Sequence, residues 1–372
     1  MGRLRFIHAA DLHLDMPFTS LGTDEVLSHK RRGEQREALR KVCSLAKEKA
    51  VDIFLFSGDL FEHEYVQRSS IGYIKECLES LSMPVFISPG NHDPYIKNSY
   101  YCSSAWPSNV HIFTGEMDRV ILENLGVCIF GVGFDDFYVH KSRLTGFRVE
   151  DEGLVNILLT HGVVDLKISE GYHPISGRDL LASGIDYAAL GHIHKRTENL
   201  EGIFSYPGSL ISLGFDEPDA HGFILGEMDK HSRSLEFIPL DARRYVTDEV
   251  EISGCTSQED MARAVADTLD DAAEQNFYRI VLTGRHEPGF EPDLDLIREG
   301  LLKKVALLQL LDSTIPGYSL EILKREKSLK GLFTARMLQK IEDQSQDKTR
   351  LQRALYLGLD ALDGIRISRR ST

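Results

Sequence analysis

Residues 51–59 read VDIFLFSGD, so a short apolar run ends directly at a glycine and an aspartate. An apolar run of this length is typical of a strand that is buried on both faces. The same arrangement, an apolar run followed by Asp, Asn or His, recurs along residues 1–245. Ligands of α/β sheets bind at the carboxyl ends of the strands, so these polar residues are candidates for a functional site.

Helix-like segments separate these runs. Residues 32–49 have the composition of a helix, and the apolar residues between Ile71 and Leu81 follow helical spacing. Strands that alternate with helices predict a layered α/β fold. The further strand candidates are residues 5–8, 84–87, 127–132, 155–159 and 187–190.

The pattern restarts near Val246 as a strand, helix, strand, helix and strand. This run of about 70 residues is large enough for a small domain of its own. Two stretches with a helical apolar stripe follow, separated by residues 343–347, DQSQD. The stripe suits either packing on its own domain or docking onto the helices of a partner. We therefore expect three domains, which comprise residues 1–245, 246–320 and 321–372.

The chain has 372 residues, of which 43 are Lys or Arg and 57 are Asp or Glu, and its net charge is −14. This acidity argues against broad electrostatic binding of nucleic acid. The charge is uneven, because residues 246–320 carry a net charge of −9 and residues 321–372 a net charge of +5.

The five cysteines form no C-x-x-C pair, which suits free thiols in a reducing compartment. No apolar run approaches the roughly 18 residues that a membrane span needs. The N-terminal residues reach a histidine and an aspartate too early for a signal peptide. We therefore expect a cytoplasmic protein without a membrane segment.

Nitrogen and oxygen ligands follow five of the predicted strands. Because the carboxyl ends of parallel strands meet at one edge of a sheet, we expect these residues to converge in one crevice. Imidazoles and carboxylates suit Mn²⁺, Fe²⁺ or Zn²⁺, and the lack of thiolate ligands argues against a structural zinc site. Two divalent ions about 3.5–4 Å apart also need a bridging carboxylate. The motifs are Asp11-Leu12-His13, Gly58-Asp59, Gly90-Asn91-His92-Asp93, His161-Gly162 and Gly191-His192-Ile193-His194.

The order D-x-H, G-D, G-N-H-D, H and G-H-x-H resembles the signature of the calcineurin-like metallophosphoesterases. The chain is similar to their SbcD-type branch, and within it to the bacterial DNA repair exonucleases of the YhaO type. The resemblance implies a two-sheet α/β sandwich flanked by helices, with a small α/β capping domain and a helical C-terminal extension that match in layout only. The stretches that carry it are residues 7–15, 58–61, 88–93 and 206–209.

The resemblance also implies two divalent metal ions, with Mn²⁺ favoured, and an attack of metal-bound hydroxide on a phosphodiester. His92 would stabilise charge on the phosphoryl oxygens or protonate the leaving oxygen, and Asp93 would orient His92. Asp59 would bridge the two ions. One ion would be held by Asp11, His13, Asp59 and His194, and the other by Asp59, Asn91, His161 and His192.

The function that the resemblance implies is a DNA exonuclease and single-strand endonuclease of DNA repair. Its expected partners are DNA, an SMC-like (SbcC-type) ATPase subunit and a second copy of the chain. The acidic composition favours an alternative, a phosphodiesterase or phosphatase of small phosphoesters. A non-catalytic scaffold in a repair complex is a third possibility, although it would not need a complete set of ligands.

Three features leave alternatives open. Some family members carry a histidine three residues after the bridging Asp, where this chain has Glu62; the next residue, His63, either substitutes for it or is a solvated loop residue. The aromatic residues between Tyr95 and Trp106 either stack on unpaired bases or anchor a buried loop. The basic residues of the tail either contact phosphates or form a solvated helix face. They are Lys324, Arg325, Lys327, Lys330 and Arg336.

Overall fold

The apolar runs of the first part of the chain form strands. The computed structural model describes residues 2–22, 25–165, 172–198, 202–240, 243–343 and 347–365. The strands in its first part are β1 (Leu4–Ala9), β2 (Ile53–Phe56), β3 (Val85–Ile87), β4 (Val110–Ile112), β5 (Asp118–Leu122), β6 (Val127–Val132), β7 (Val155–His161), β8 (Val163–Val164), β9 (Pro174–Ile175), β10 (Tyr187–Gly191), β11 (Thr197–Glu198), β12 (Phe204–Tyr206), β13 (Gly222–Met228) and β14 (Arg233–Pro239).

Two six-stranded sheets result, with the strand orders β14-β13-β1-β2-β3-β4 and β11-β12-β10-β7-β6-β5. Strands β1 to β4 are parallel, as are β6, β7, β10 and β12. Antiparallel pairs lie at one edge of the first sheet and at both edges of the second. Every residue of β2 and of β7 is buried, as parallel strands covered on both faces require. The expected two-sheet α/β fold is confirmed.

Alternate residues of the strands fill the space between the sheets. Phe6 and Leu55 from one sheet pack in a single cluster with Ile129, Ile157 and Tyr187 from the other. This is the period of two that a strand imposes on its side chains. The helices of this part are α1 (Glu25–Glu48), α2 (Arg68–Glu79), α3 (Tyr100–Ser103) and α4 (Gly177–Ala182), with a 3₁₀ turn at Thr19–Leu21.

The chain divides into two units, Met1–Arg244 and Tyr245–Thr372. In the second unit three parallel strands pair in the order β15-β16-β18, and α5 and α6 begin after the side-chain caps of Ser257 and Asp293. The separate boundary at residue 320 stays a prediction. The elements of this unit are β15 (Tyr245–Glu251), α5 (Gln258–Ala266), β16 (Phe277–Thr283), β17 (Arg285–His286), α6 (Leu294–Leu301), β18 (Leu307–Asp312), β19 (Ile315–Pro316), α7 (Leu320–Leu323), α8 (Leu329–Glu342) and α9 (Lys348–Leu362).

The apolar stripes of helices α8 and α9 pack against each other. Phe333 and Met337 of α8 pack in one cluster with Leu355 and Leu359 of α9. Of the break predicted between these helices, residues 344–346 lie outside the described part of the chain. No helix among the described residues is both long enough and apolar enough to cross a membrane.

His8 is a polar link between the two sheets. Its ring is fully buried, and its Nδ1 lies 2.8 Å from the Tyr187 hydroxyl of the opposite sheet. Its Nε2 lies 3.1 Å from the Leu190 carbonyl oxygen and 2.9 Å from the Ser57 hydroxyl. A carbonyl only accepts, so Nε2 donates and Nδ1 accepts from Tyr187. Burial lowers the pKa of His8 to about 3, although the bond to the Leu190 carbonyl opposes that shift.

This buried neutral histidine should make the first unit sensitive to acid. As the pH falls below 6.5, the unfolded chain binds a proton at His8 that the folded chain does not bind, so stability falls by about 1.4 kcal/mol per pH unit through this group. We expect His8→Gln to be less stable at pH 7.5 but to lose stability less steeply between pH 6 and pH 5. Trp106, the single tryptophan, lies in the first unit, so its fluorescence during urea unfolding measures this slope.

The exposed His231 provides the control. His231→Gln should show the same slope as the unmodified protein. Equal slopes for the unmodified protein and His8→Gln would contradict a neutral, buried His8.

Candidate metal centre

The loops that follow β1 and β2 stay hydrogen-bonded to each other beyond the strands. The amide of Asp11 donates to the Gly58 carbonyl at 3.1 Å, and the amide of His13 donates to the Asp59 carbonyl at 2.9 Å. Asp11, His13 and Asp59 all adopt left-handed backbone conformations, with φ of 51°, 49° and 53°. Non-glycine residues rarely adopt this conformation, and such strain concentrates at functional sites.

The third loop is attached to the second by Asp93. Its buried carboxylate accepts from the amides of Asp59 at 3.0 Å, Leu60 at 2.7 Å and Gly90 at 2.7 Å, and from the Tyr101 hydroxyl at 2.7 Å. Burial and the charge of Asp59 raise the pKa of Asp93 to about 7.

Asp93 therefore differs from the expectation that it orients the ring of His92. Its two oxygens are occupied by these four donors, because a fully buried carboxylate needs hydrogen-bond partners and the nearby amides and hydroxyl supply them. The His92 ring contacts Glu62 instead, with 2.9 Å between His92 Nδ1 and the carboxylate. The amide of His92 donates to Asp59 Oδ1 at 2.8 Å, which fixes the Asp59 carboxylate from the third loop.

Two loops of the other sheet complete the centre. His161 ends β7, and its Nδ1 donates to the Ser57 carbonyl at 2.8 Å. His192 follows β10 with φ of 102°, and its amide lies 3.1 Å from both oxygens of Asp11. Gly191 admits no side chain, because an added Cβ would collide with the Ser57 carbonyl oxygen. These contacts attach the ligand loops of the two sheets to each other.

The predicted ligands form two adjacent clusters. Asp11, His13 and His194 make one, and Asp59, His161 and His192 make the other, with the ligand atoms of each within 4.8 Å of one another. Asp59 Oδ2 lies between them, 3.6 Å from His13 Nε2 and 3.3 Å from His161 Nε2.

Asn91 joins the second cluster. Its Oδ1 lies 3.1 Å from His161 Nε2 and 3.1 Å from His192 Nδ1. The structure thus brings together all seven residues that the sequence suggested as ligands.

The hydrogen-bonding roles in these clusters fit bound cations. His13 Nδ1 contacts Glu62 at 2.7 Å and His194 Nδ1 contacts Glu217 at 2.6 Å, so both rings donate through Nδ1. Their Nε2 atoms face each other at 3.0 Å, and in neutral rings both are acceptors. His161 Nε2 likewise faces only acceptors, on Asp59 and Asn91. Such an array of acceptors needs protons or metal ions between them.

The pKa values of the candidate ligands agree with a competition between protons and metal ions for the same nitrogen atoms. Burial opposes the charge of His161, but the carboxylates of Asp59 and Asp11 outweigh it and raise its pKa to about 9. Burial also opposes the charge of His194, but its bond to Glu217 and the charge of Asp11 raise its pKa to about 9. Burial and the charge of His161 lower the pKa of His192 to about 3. Metal binding should therefore release protons.

Two carboxylates contact the candidate ligands, and the sequence contains a signal for Glu62 but none for Glu217. Glu62 stands at the departure from the family motif and contacts both His13 and His92. Glu217, on His194, belongs to no motif and had no local signal. Burial opposes the charge of Glu62, but its hydrogen bonds to His13 and His92 lower its pKa to about 2.

Burial and packing bear on two of the alternatives that the sequence left open, the role of His63 and that of the aromatic residues. His63 is half-buried and packs edge-on against the Phe137 ring at 5.7 Å, so Glu62 and not His63 contacts the candidate ligands. Tyr101 is buried against Asp93, and its ring lies 5.3 Å from that of Trp106. The stretch of aromatic residues is therefore a loop anchor at these two positions.

Comparison with known proteins identifies the family. Residues 4–196, more than half of the chain, match the calcineurin-like phosphoesterase family. The chain belongs to this family, whose members hydrolyse phosphoester bonds at a dimetal centre. It is a metallophosphoesterase.

Three relatives are similar over most of the chain. The uncharacterized metallophosphoesterase YhaO of Bacillus subtilis is 31% identical over 249 residues, which cover 63% of this chain and 60% of that protein. The DNA double-strand break repair protein Mre11 of Methanopyrus kandleri is 26% identical over 297 residues, with 70% and 62% covered. A component of the nuclease SbcCD from Staphylococcus saprophyticus is 25% identical over 273 residues, with 65% and 70% covered. The chain thus spans about three fifths of the length of the first two relatives.

The two clusters predict a metal stoichiometry that substitution should reduce stepwise. We expect two Mn²⁺ ions per chain, and one each in His194→Ala and in His192→Ala, because each change removes a ligand from one cluster only. Asp59→Asn should weaken both sites, since this carboxylate lies between them. Equilibrium dialysis with metal analysis measures the bound ions.

His231→Ala, which changes an exposed histidine outside both clusters, should keep two ions. Retention of two ions at undiminished affinity by Asp59→Asn would contradict the bridging position.

Proposed function

We propose that the chain is a divalent-metal-dependent DNA phosphodiesterase that acts in DNA repair, as an exonuclease and as a single-strand endonuclease. The observation that carries the proposal is the complete pair of ligand clusters with His92 beside them, half-exposed at 45% of its side chain. The relatives named as part of a nuclease and as a double-strand break repair protein support DNA as the substrate.

The metal ligands, His92 and Asp93 would have separate roles in the reaction. When bound, the two ions supply a water-derived nucleophile at neutral pH and offset charge on the phosphoryl oxygens. His92 is engaged at Nδ1 by Glu62, so a proton for the leaving oxygen would come from its Nε2. Asp93 acts indirectly, because it fixes the loop that carries Asn91 and His92. One ion would be held by Asp11, His13, Asp59 and His194, and the other by Asp59, Asn91, His161 and His192.

Two cavities give a substrate access to the ligands. One of 300 Å³ is lined by Asn91 and His92 together with the exposed ring of Tyr138. Another of 460 Å³ is lined by His192, His194 and residues around Glu217. We propose that they accept the nucleotides on the two sides of the scissile phosphate.

The finer assignments are those that the resemblance of the sequence motifs to the SbcD-type branch implies. We propose Mn²⁺ as the metal, a cytoplasmic location, a homodimer, and residues 321–372 as a helical extension that docks onto an SMC-like (SbcC-type) ATPase. Exposed apolar side chains support the docking, since Ile322 is 65%, Leu329 71% and Leu332 53% exposed. In the basic tail Arg325 and Lys327 are exposed, whereas Lys330 pairs with Asp363 at 2.6 Å.

One observation favours a second candidate. The net charge of −14 repels DNA outside a metal-filled cleft, which would suit a phosphodiesterase of small phosphoesters. The complete ligand set disfavours a non-catalytic scaffold.

Hydrolysis of DNA separates these candidates. We expect Mn²⁺-dependent cleavage of single- and double-stranded DNA, and a loss of about 100-fold or more in His92→Ala, because general acid catalysis contributes this much. Bis-p-nitrophenyl phosphate should be less affected, since p-nitrophenolate leaves with little need for a proton. Gel assays of DNA and the absorbance of p-nitrophenolate give the two rates.

His231→Ala should match the unmodified protein in both assays, because His231 is exposed and outside the clusters. Hydrolysis of the small ester with DNA left intact would transfer the assignment to the second candidate. Activity on neither substrate would support the scaffold.

A further inference from the structure

Four aromatic side chains line the cavity of 300 Å³ that contains His92, and two of them are exposed to solvent. Tyr138 is 57% exposed and Tyr65 is 53% exposed. Aromatic side chains of this size gain much from burial, so rings left in water at the edge of a cavity are available to a ligand. The four aromatic residues are Tyr65, Phe137, Tyr138 and Tyr172.

The backbone of the loop after β6 determines where Tyr138 lies. The next residue, Val139, is buried, and its carbonyl accepts from the His173 amide at 2.8 Å. Val139 also forms an isolated parallel bridge with Tyr172. Successive side chains of extended backbone point in opposite directions, so the burial of Val139 turns Tyr138 and His140 outward, and both are exposed.

One other ring connects Tyr138 to the candidate metal centre. The Tyr138 and Tyr172 rings have centroids 6.0 Å apart and are inclined by 48°. Tyr172 in turn stacks on the candidate ligand His192, with centroids 4.9 Å apart and an angle of 28°. The His140 ring lies parallel to that of Tyr138 with centroids 6.2 Å apart, and these two neighbours leave more than half of Tyr138 exposed. Tyr138 is therefore placed to contact a group attached to a phosphate at the centre.

The charges around this cavity favour a neutral group over a second phosphate. Glu62 and Glu64 contribute carboxylates, and none of the described residues that line the cavity is a lysine or an arginine. Carboxylates repel a phosphate. A nucleobase, by contrast, is neutral and planar, and every base has a π face that stacks on an aromatic ring.

The cavity of 460 Å³ beside His194 differs in chemistry. Among the described residues that line it, none carries a benzene ring, and Asp216, Glu217 and Asp219 contribute carboxylates. Its lysine, Lys195, pairs with Asp219 at 3.0 Å. The two sides of the centre therefore offer different surfaces, and the exposed aromatic rings lie on the side of His92.

We propose that Tyr138 is a specificity-determining residue on which the unpaired base of the leaving nucleoside stacks. This inference rests on the proposed function, and it names unpaired nucleotides as the preferred substrate. His92 lines the same cavity and would protonate the leaving oxygen, so the departing nucleoside lies on this side. In the reaction the oxygen of a water molecule forms a bond to phosphorus, the bond from phosphorus to the leaving oxygen breaks, and that oxygen takes the proton of His92. A base inside a duplex is stacked between its neighbours and cannot present a face to Tyr138.

Dinucleoside monophosphates test this inference, because they place one nucleoside on each side of the scissile phosphate. The substrates are thymidylyl-thymidine and two analogues in which a tetrahydrofuran residue replaces one thymidine or the other. Chromatography of the products shows which nucleoside leaves without the phosphate. Loss of the base on the leaving side should lower kcat/KM by about 10–100-fold, and loss of the other base by less than about threefold, because one stacked base contributes a factor of this size.

Substitution of Tyr138 should remove the dependence on the leaving base. Tyr138→Ala should lower kcat/KM on thymidylyl-thymidine to the level of the analogue that lacks the leaving base, and it should not change the rate on that analogue. Tyr138→Phe should keep the activity, because the ring stacks without its hydroxyl. Ile121→Ala shortens another exposed apolar side chain, on β5, and should change neither rate. Equal losses on both substrates in Tyr138→Ala would overturn the inference, since they would indicate a disturbed centre.

The fluorescence of 2-aminopurine, which stacking quenches, provides a measurement that does not depend on activity. The probe is a dinucleoside monophosphate with 2-aminopurine in place of the leaving thymine. It is titrated to saturation with the full chain carrying His92→Ala and loaded with diamagnetic Zn²⁺, so that binding is observed with little cleavage. The bound probe should be quenched, and the addition of Tyr138→Ala to this variant should restore most of its fluorescence. The addition of Ile121→Ala should leave the quenching unchanged.

The outcomes distinguish the inference from the proposed function. Cleavage of thymidylyl-thymidine that depends neither on the leaving base nor on Tyr138 would overturn the inference and leave the nuclease in place. Hydrolysis of bis-p-nitrophenyl phosphate without cleavage of any dinucleotide would overturn the proposed function instead. The quenching then decides the inference alone: quenching that Tyr138→Ala abolishes supports it, and a bound probe without quenching overturns it.

Discussion

The buried carboxylate of Asp59 is the constraint on which the candidate centre depends. Its amide is held by Asp93, its carbonyl accepts from His13, and its Oδ1 accepts from the amide of His92. Its Oδ2 is left between His13 and His161. A buried charge of this kind is costly unless it is fully paired, so every loop that approaches it must supply a donor or a cation. The position of one side chain thereby fixes the spacing of four loops from two sheets.

The strain of the ligand loops follows from the same arrangement. Asp11, His13, Asp59 and His192 all have positive φ, and each such residue costs on the order of 1–3 kcal/mol. Relaxation of any one loop would break hydrogen bonds to its neighbour, because the loops after β1 and β2 continue the pairing of the strands. The parallel strands, buried on both faces, act as the rigid support that keeps the strained residues in place.

Much of this arrangement could be predicted from local sequence, because it obeys local rules. An apolar run that ends in a polar residue predicts a strand, and it predicts that the polar residue lies at the carboxyl edge of the sheet. This reasoning led to the convergence of Asp59, His161 and His192, which are far apart in the chain. The β13–β14 hairpin was not predicted, since two glycines interrupt Gly222–Met228 and weaken its strand pattern.

Contacts made by single polar residues could not be predicted from the pattern of apolar and polar residues. Glu217 reaches His194 from a loop without a motif, and nothing in its neighbourhood distinguishes it from any exposed glutamate. The resemblance assigned Asp93 to the orientation of His92, whereas the buried Asp93 carboxylate accepts from three backbone amides instead. The aromatic residues near Asp93 have the same composition whether they cover a loop or bind a base, and only the burial of Tyr101 decides between these roles.

The net charge of −14 is compatible with a phosphodiester substrate, because the charges nearest the centre matter more than the net charge. Net charge describes the field far from the protein, where salt screens it within about 10 Å. At the centre the nearest charges decide, and these are the carboxylates of Asp11 and Asp59 and the cations that they attract. Two divalent ions would offset those carboxylates together with Glu62 and Glu217, and the anionic substrate would then meet a neutralised site with His92 at its edge. The acidity of the chain is thus in part the charge that the ions require.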